Sequence, residues 1–265
     1  MFRPNGFLTL TSDFGGRDGY VGEMKGVVIC IASRLSLIDI AHDLPAQDVA
    51  HAARVIASAA PRFPAGTVHV VVVDPGVGTE RAAIVLSSGG HVFVGPDNGL
   101  FGPVAERLGG VDSCHRITEH AYLRPSTSTT FDGRDVFAPT GAALAADLLA
   151  CEATGIPWTP TLECLPKVQA GDDGARLGEV VTLDHFGNAL TNLRRADLPA
   201  GPVAVEVGGV TLPISRTYGE VSPGVALALI GSDGWLEIAV RNGSAQAHLK
   251  LRPGSPVRVL SVPVR

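Results

Sequence analysis

The sequence predicts an α/β N-terminal domain, with a largely parallel sheet and flanking helices, followed by a smaller β-rich, barrel-like C-terminal domain. Two observations predict this division. Strand-like and helix-like tracts alternate over the first part of the chain, which is typical of layered α/β domains. Beyond a segment rich in Pro, Gly and Asp, helix-period stretches become scarce and short strand-like tracts take over. The predicted bounds are residues 1–165, a linker at 166–176 and residues 177–265.

Apolar periodicity defines the elements of the first domain. Residues 7–11 are predicted as the first strand, and in residues 19–32 apolar positions recur at spacings of three and four, which is one face of a helix. A second helix over residues 48–60 has Asp48 as its expected N-cap. The remaining predicted elements are strands at residues 35–40, 67–73 and 91–94, and a helix over residues 135–150 that starts near Pro139.

The second domain shows short strand-like tracts with Gly turns between them. Such spacing favours an antiparallel sheet that closes into a barrel. The predicted strands lie at residues 178–183, 202–207, 225–230, 236–240 and 256–262.

Composition excludes several classes of protein. With 45% hydrophobic and 18% charged residues among 265, the chain can bury a sizeable core, so intrinsic disorder is not expected. A net charge of -5 argues against a nucleic-acid partner. No apolar run approaches the ~20 residues of a membrane span, and the first residues lack the pattern of a signal peptide. We therefore expect a cytoplasmic protein without a membrane partner.

Several motifs with known chemistry are absent from the sequence. The 4 cysteines form no CxxC pair, and the 8 histidines show neither HxH nor HExxH spacing, so we expect no metal site. The patterns GxxxxGK[ST], GxGxxG and GxSxG are also missing, which argues against a Walker-type phosphate loop, a dinucleotide-binding fold and a serine hydrolase. A metal-dependent hydrolase built on clustered Asp residues stays open, although its usual ligand spacing is missing.

Carboxylates repeatedly follow predicted strands at small-residue turns. The examples are Asp13, Asp74, Asp97 and Asp184, and Ser232-Asp233-Gly234 resembles them. Since ligands of an open parallel sheet bind at the carboxyl ends of its strands, the first three are expected to surround one crevice. Alternatively, Asp and Gly occur there only because both are common turn formers.

Two clusters add an arginine to these acids. Arg81 is far enough beyond Asp74 for the chain to turn back, so the two side chains are able to hold a polar ligand or a water; the alternative is a surface salt bridge. Residues 129–135 place Phe131, two acids and an Arg between a loop and a helix start; the alternative there is helix capping by Asp135.

A third cluster, residues 184–188, combines an acid with an aromatic ring and an amide. Phe186 can stack on a flat heterocycle while Asn188 bonds to its edge. The alternative is an ordinary hairpin turn. Together the clusters indicate an acidic pocket, which suits a cationic or hydroxyl-rich small ligand better than a phosphate.

These motifs, in this order, resemble the adenosine-forming S-adenosyl-L-methionine hydrolases, also called SAM hydroxide adenosyltransferases, which are related to the fluorinase and chlorinase enzymes. The resemblance covers nearly the whole chain. It implies hydrolysis of S-adenosyl-L-methionine without a cofactor, in homotrimers whose ligand lies between the N-terminal domain of one subunit and the C-terminal domain of the next. It is carried by Ser12-Asp-Phe-Gly15, the region around Tyr20, Val73-Asp-Pro-Gly-Val-Gly78 with Arg81, Gly95-Pro-Asp-Asn-Gly-Leu100, Thr130-Phe-Asp-Gly-Arg-Asp135, Asp184-His-Phe-Gly-Asn188 with Thr191-Asn192, and Ser232 to Val240.

The resemblance also implies roles for individual residues. Asp13 is expected to hold the ribose hydroxyls, and Asp74, Arg81 and Asp132 are the expected catalytic group. The other expected substrate contacts are Asp18, Tyr20, Asp184 and Ser232 around the methionine part, Phe186 and Asn188 at adenine, the backbone near Val240 and Asn242 at the adenine edge, and Phe131 and Glu237.

Residue types at these positions suit the chemistry that the resemblance implies. Carboxylates attract a sulfonium cation in a partly dry cleft. Attack on the ribose carbon that bears sulfur releases neutral methionine, so catalysis requires a nucleophile held in line with the C–S bond. Arg81 is expected to stabilise hydroxide character on the attacking water, and Asp74 to orient that water or accept its proton.

One position departs from the family's pattern. The hydrolases usually read Thr-Phe-His-Gly-Arg-Asp, and that His completes an Asp–Arg–His set, whereas this sequence has Asp132. Either Asp132 serves as the base, with a pKa shifted by the nearby Asp74, or turnover is weak and the protein mainly binds adenosine or S-adenosyl-L-methionine. A halogenase is disfavoured, because the acidic Asp74 would repel a halide, and the aromatic lid position of those enzymes corresponds to Gln47.

Overall fold

The structure is a computed structural model that describes residues 2–118 and 128–262. The chain divides after residue 164 into two compact units, referred to below as the N-terminal and C-terminal units. The first is built on a mixed sheet with flanking helices and the second on a closed β-barrel, so the predicted fold class of each is confirmed.

The N-terminal unit is built on a sheet whose spatial order is β2-β1-β3-β5-β4-β6-β7. These strands are β1 (Phe7–Ser12), β2 (Ser36–Ala41), β3 (Val68–Val72), β4 (Ala83–Ser88), β5 (His91–Pro96), β6 (Ser113–Ile117) and β7 (Gly155–Pro157). Strands β2, β1, β3 and β5 are parallel, and the others pair antiparallel. Gly89 and Gly90, both with positive φ, form the tight turn between β4 and β5, which makes that pair antiparallel. The parallel pairing expected for the sheet therefore covers only one side of it.

Helices cover both faces of this sheet. They are α1 (Tyr20–Ile31), α2 (Val49–Ala59), α3 (Gly102–Arg107) and α4 (Ala138–Ala145). Asp48 caps α2 as predicted, because its carboxylate accepts a hydrogen bond of 2.9 Å from the His51 N–H. Alternating residues of β3 face opposite cores: Val70 packs in one and Val71 in the other. No helix in the described ranges is long and apolar enough to cross a membrane.

The segment before α4 departs from the predicted helix. Residues Gly133–Phe137 form a π-helical turn, and α4 follows it with a proline in its first turn, ending at Ala145 rather than near residue 150. The hydrogen bonds of a π-helical turn span one residue more than those of an α-helix, so the turn redirects the side chains around it, and such turns are frequent at functional sites.

A close backbone approach occurs where the chain leaves β5. Gly99 has a φ of 92°, and a side chain there would meet the backbone of Glu163. A side chain at Gly102 would collide with the Leu162 carbonyl group. The two glycines therefore let the last residues of the N-terminal unit pack directly onto the start of α3.

The C-terminal unit is a seven-stranded barrel. In addition to α5 (Ala245–Leu249), it contains β8 (Gln169–Ala170), β9 (Arg176–Leu183), β10 (Ala189–Arg194), β11 (Val203–Val207), β12 (Val210–Ser215), β13 (Ala226–Ile230), β14 (Trp235–Val240) and β15 (Pro256–Ser261). The spatial order β10-β14-β13-β12-β11-β15-β9 is closed by the β9–β10 hairpin, and β8 adds to β9. Only β12 and β13 pair in parallel within the described barrel. Its core contains buried aliphatic residues such as Val180, Leu236 and Val259.

Candidate active site

A cleft of about 690 Å³ opens in the N-terminal unit. Asp13 follows directly after β1, and Asp74 follows shortly after β3, so the two carboxylates lie at the same edge of the sheet because these strands are parallel and adjacent. Residues 128–134, which precede α4 and include Phe131 and Asp132, also line this cleft.

The Asp74, Arg81 and Asp132 side chains meet beside this cleft. Arg81 donates from Nε to Asp74 Oδ1 at 3.1 Å and from Nη2 to Asp74 Oδ2 at 2.5 Å. The same Nη2 lies 2.6 Å from Asp132 Oδ2. The Asp74 and Arg81 side chains are only 5% and 8% exposed, so the contact predicted between them is confirmed and the surface salt bridge alternative is wrong. Asp132 is 26% exposed, and both carboxylates line the cleft with Arg81 bound between them.

Burial changes the proton affinity of this group. Desolvation raises the pKa of the Asp74 carboxyl above its ordinary value, and the negative charge of Asp132 acts in the same direction. The Arg81 guanidinium and the Gly76 N–H lower the pKa of Asp74, but they do not cancel the effect of burial. Asp74 is thus a carboxylate better able to accept a proton than an exposed aspartate.

Three aromatic rings form an apolar wall of the cleft. Phe14, Tyr20 and Phe131 contact each other edge to face, with ring centroids 5.3 to 5.8 Å apart. Tyr20 is 47% exposed at the start of α1. Arg134 places its guanidinium 4.9 Å from the centroid of the Phe131 ring. This wall offers an apolar surface next to the carboxylates.

Asp13 is oriented by the backbone of a neighbouring loop. The Gln47 N–H donates to Asp13 Oδ2 at 2.7 Å, and Gln47 has a φ of 64°, in the left-handed region that non-glycine residues seldom adopt. Asp18 is exposed and is not among the residues that line the cleft.

Asp97 does not join the crevice expected for it. Its carboxylate accepts hydrogen bonds of 2.7 Å from the Trp158 ring N–H and from the Thr161 N–H. Both oxygens are thereby used to hold the segment after β7, so the expectation for Asp97 is wrong. Asp135 does not cap a helix through its side chain; it pairs with Arg134, and the capping alternative is wrong as well.

In the C-terminal unit, Asp184 organises the hairpin between β9 and β10. Its Oδ1 accepts from the N–H groups of Phe186 and Asn188, and its Oδ2 accepts from the Asn188 side chain at 2.9 Å. The hairpin alternative is therefore correct for the backbone. The Phe186 ring is 73% exposed on this turn, whereas Asn188 is buried.

The remaining predicted contacts cluster around β14. Glu237 is buried and accepts a hydrogen bond of 2.5 Å from the Tyr218 hydroxyl. Burial and the Glu237 carboxylate raise the pKa of Tyr218. Ser232 lies exposed before β14, Val240 ends it, and the exposed Asn242 follows with a φ of 54°.

Comparison with known proteins decides the family. Residues 8–155 match the SAM hydroxide adenosyltransferase N-terminal domain, and residues 178–258 match the SAM hydroxide adenosyltransferase C-terminal domain. The chain belongs to the SAM hydroxide adenosyltransferase family. The family membership inferred from the motifs is confirmed.

Individual relatives agree with this assignment. The chain is 43% identical to "(R)-S-adenosyl-L-methionine hydrolase" of Thermus thermophilus, covering 97% of this chain and 100% of that protein. It is 26% identical to "Fluorinase" of Nocardia brasiliensis, over 95% and 96% of the two chains. The crystal structure of an uncharacterized conserved protein from Thermotoga maritima superposes with a TM-score of 0.85 at 33% identity, over 96% and 100% of the chains.

Within the SAM hydroxide adenosyltransferase fold, the structure adds residues for which no contact with the substrate was predicted from the sequence. Glu23, Gln47 and Arg134 line the cleft, and Tyr218 holds Glu237. The positive φ of Gln47 leaves no sequence signal, and Tyr218 lies in a short helical turn without a motif. Across residues 2–118 and 128–262, no group of three or more His, Cys, Asp or Glu residues is placed to hold a metal ion.

Proposed function

We propose that this chain hydrolyses S-adenosyl-L-methionine to adenosine and L-methionine, by attack of an activated water on the ribose 5′ carbon. Membership of the SAM hydroxide adenosyltransferase family and the similarity to a hydrolase named for this substrate support the proposal. The structural observation that carries it is the buried Asp74–Arg81 pair, bound to Asp132 at the wall of the cleft.

The charge of the cleft favours a sulfonium substrate. Asp13, Glu23, Asp74 and Asp132 contribute four negative charges, and Arg134 together with Arg81, which is bound between Asp74 and Asp132, contributes two positive ones, so the cleft stays negative. Opposite charges a few Å apart attract strongly when water is partly excluded, so the cation is drawn toward the carboxylates. Once the C–S bond breaks, sulfur becomes neutral in methionine and this attraction is lost, which favours product release.

We propose that Asp74 binds the attacking water and acts as its general base. The water donates a hydrogen bond to Asp74, attacks the 5′ carbon opposite sulfur and transfers its proton to the carboxylate, so a hydroxide never has to form free in solution. Arg81 keeps the Asp74 carboxylate in one orientation and offsets the negative charge that develops on oxygen. Orientation of the two reactants is expected to supply several kcal/mol of the barrier reduction.

Asp132 is the second carboxylate bound by Arg81. We propose that it shares the task of positioning water, because its contact with Arg81 Nη2 places it beside Asp74. Its negative charge favours the sulfonium and opposes a hydroxide-like oxygen. The alternative is therefore a protein that binds adenosine or S-adenosyl-L-methionine with little turnover.

The C-terminal unit is proposed to complete the site in a homotrimer, with each ligand at a subunit interface. Asp184, Phe186 and Asn188 are assigned to the substrate, and the exposed ring of Phe186 is the feature that supports a contact with a ligand outside the barrel. Ser232, Glu237, Val240 and Asn242 are assigned to the same substrate, as are Asp13, Asp18, Tyr20 and Phe131. We propose that no cofactor takes part, that the protein acts in the cytoplasm, and that neither nucleic acid nor a membrane is a partner.

A fluorinase-type substitution is the less favoured function. Similarity to a fluorinase is more distant than similarity to a hydrolase. The buried Asp74, bound to Asp132 through Arg81, presents negative charge where a halide would have to bind.

The deciding experiment is incubation with S-adenosyl-L-methionine in ¹⁸O-labelled water, followed by chromatography and mass spectrometry. We expect adenosine and methionine in equal amounts, with the label in the adenosine 5′ hydroxyl. Binding measured by calorimetry without adenosine above the no-enzyme control would contradict the hydrolase and support the binding protein. An Asp132→His variant that gains activity would show that Asp132 limits turnover, whereas unchanged activity would show that Asp132 is competent.

A further inference from the structure

We propose that Arg134 is a positioning residue, which fixes Phe131 and Asp132 in the cleft before the substrate arrives by tying the π-helical turn to α1. The inference rests on the proposed function, in which both of those side chains serve the substrate.

Three contacts hold the Arg134 guanidinium in one plane. Nε and Nη2 donate to the two Asp135 oxygens at 2.7 and 2.9 Å, and Nη1 donates to Glu23 Oε2 at 2.8 Å. Asp135 is 5% exposed and lies within the π-helical turn, whereas Glu23 belongs to the first turn of α1. One side chain thus bridges two elements that carry different walls of the cleft, and only the planar fork of arginine matches all three partners.

The guanidinium also restrains the aromatic wall. It lies 4.9 Å from the Phe131 centroid, and Phe131 in turn contacts Phe14 and Tyr20. Since Tyr20 begins α1 and Glu23 lies one turn later, the ring and the ion pair link the same two elements. Arg134 therefore fixes both the position of Phe131 and its distance from α1.

Asp132 depends on the same turn. It immediately precedes the π-helical residues, and the Arg134 and Asp135 N–H groups both bond to the Phe131 carbonyl at 3.1 Å. These backbone bonds fix the direction of the Asp132 side chain, whose Oδ2 lies 2.6 Å from Arg81 Nη2. Loss of the tether at Arg134 is expected to let this turn move, and a displacement of about 1 Å can cost about 100-fold in rate.

The competing explanation is that Arg134 has only a structural role, which is to neutralise the charge of the buried Asp135. The two roles separate in an Arg134→Gln/Asp135→Asn double variant, which removes the buried charge pair and leaves only the half-exposed Glu23 without Arg134, so it should recover most of the stability lost in Arg134→Gln alone. Glu23→Gln removes only the more exposed partner and keeps an acceptor. Arg216→Gln is the matched control, because Arg216 is 94% exposed and pairs with Glu220 in the C-terminal unit.

The experiment measures kcat, KM and melting temperature for these variants with S-adenosyl-L-methionine, and the ligand-free crystal structure of the double variant. We expect the double variant to melt near the wild type while its kcat falls by about 10- to 100-fold, with KM changed less than about threefold. In Glu23→Gln, kcat should fall by less than about fivefold, and in Arg216→Gln kcat should not change.

Recovery of kcat together with melting temperature in the double variant would overturn the inference. The ligand-free structure provides a readout that does not depend on turnover. If wild-type protein forms no adenosine, the proposed function fails, yet a displaced Phe131 and a lost Asp132–Arg81 contact would still support the positioning role. Unchanged positions of both side chains would overturn it in either case.

Discussion

Arg81 binds Asp74 through two parallel hydrogen bonds, although the two residues lie on opposite sides of a glycine-containing turn. Such a bidentate pair fixes the carboxylate in both position and plane, which a lysine at the same place would not do. The two side chains are only 8% and 5% exposed, so little water competes for the hydrogen bonds between them. Asp132 then adds a second carboxylate to the same guanidinium.

Replacing Arg81 by Lys should keep the positive charge and lose the bidentate geometry. We expect kcat/KM for S-adenosyl-L-methionine to fall by about 10² to 10³, the magnitude typical of losing an electrostatic contact in an active site. Steady-state release of adenosine provides the measurement, with Arg216→Lys as the exposed control. Activity within threefold of wild type would contradict the role given to Arg81.

The pH dependence of kcat/KM should show an acid limb set by Asp74. Because a general base must be deprotonated, activity falls as pH drops through the pKa of Asp74, which burial raises above its ordinary value. The charged groups facing this carboxyl are Arg81, which lowers its pKa, and Asp132, which raises it. In Asp132→Asn the limb should therefore move to lower pH. A shift to higher pH in a pH–rate profile would contradict this assignment.

Stability should fall in acid because of a buried histidine pair outside the cleft. His69 is fully buried, with its Nδ1 2.8 Å from Thr9 Oγ1 and its Nε2 3.2 Å from His91 Nδ1. Burial, and to a smaller extent the nearby His91, lowers the pKa of His69 to about 3. The unfolded chain binds a proton near pH 6.5, so the stabilising effect of the neutral ring is present above that pH. It is lost as pH falls from 6.5 toward 3, by up to about 1.4 kcal/mol per pH unit.

Urea unfolding at several pH values tests this expectation. His69→Gln should reduce the slope of unfolding free energy against pH, even if it also lowers stability at neutral pH. His248→Gln is the control for the substitution itself, since His248 is exposed on α5. Equal slopes in wild type and His69→Gln would show that the buried ring does not titrate as described.

The left-handed backbone of Gln47 gives a further prediction. Gln47→Gly keeps the N–H that binds Asp13 and removes the backbone strain, which costs a non-glycine residue about 1–2 kcal/mol, so stability should be maintained or rise slightly. Any loss of activity then measures the Gln47 side chain in the cleft. Asp147→Gly, at a φ of 57° and outside the residues that line the cleft, is the matched control for thermal unfolding. A clear loss of stability at Gln47 alone would contradict the strain argument.

The sequence predicted what depends on local patterns. Runs of apolar and β-branched residues located β1, β3 and most strands of the barrel, and the contact between Asp74 and Arg81 followed from a spacing of seven residues. It did not reveal β4, a short apolar run directly after the Arg81 motif, nor β10, which follows the Asp184 turn. Because β6 and β7 were not predicted either, the antiparallel half of the first sheet could not be anticipated.

Long-range contacts set the second limit. Asp132 and Arg81 are 51 residues apart, so no local pattern predicts their contact; the family resemblance placed them in one catalytic group, and the structure supplied the contact between Arg81 Nη2 and Asp132. The π-helical turn likewise has no sequence signature, so Arg134 seemed part of a motif rather than a bridge to Glu23. Motif residues that are neighbours in sequence thus gave candidates, while their partners across the cleft required the structure.

The close approach at Gly99 and Gly102 bears on how mutational scans of this protein should be interpreted. Every side chain at these positions would collide with the backbone that follows β7, so libraries should be depleted of all substitutions there although neither residue lines the cleft. Intolerance at Gly99 and Gly102 therefore reports steric exclusion. It should not be counted as evidence that these positions recognise the nucleoside.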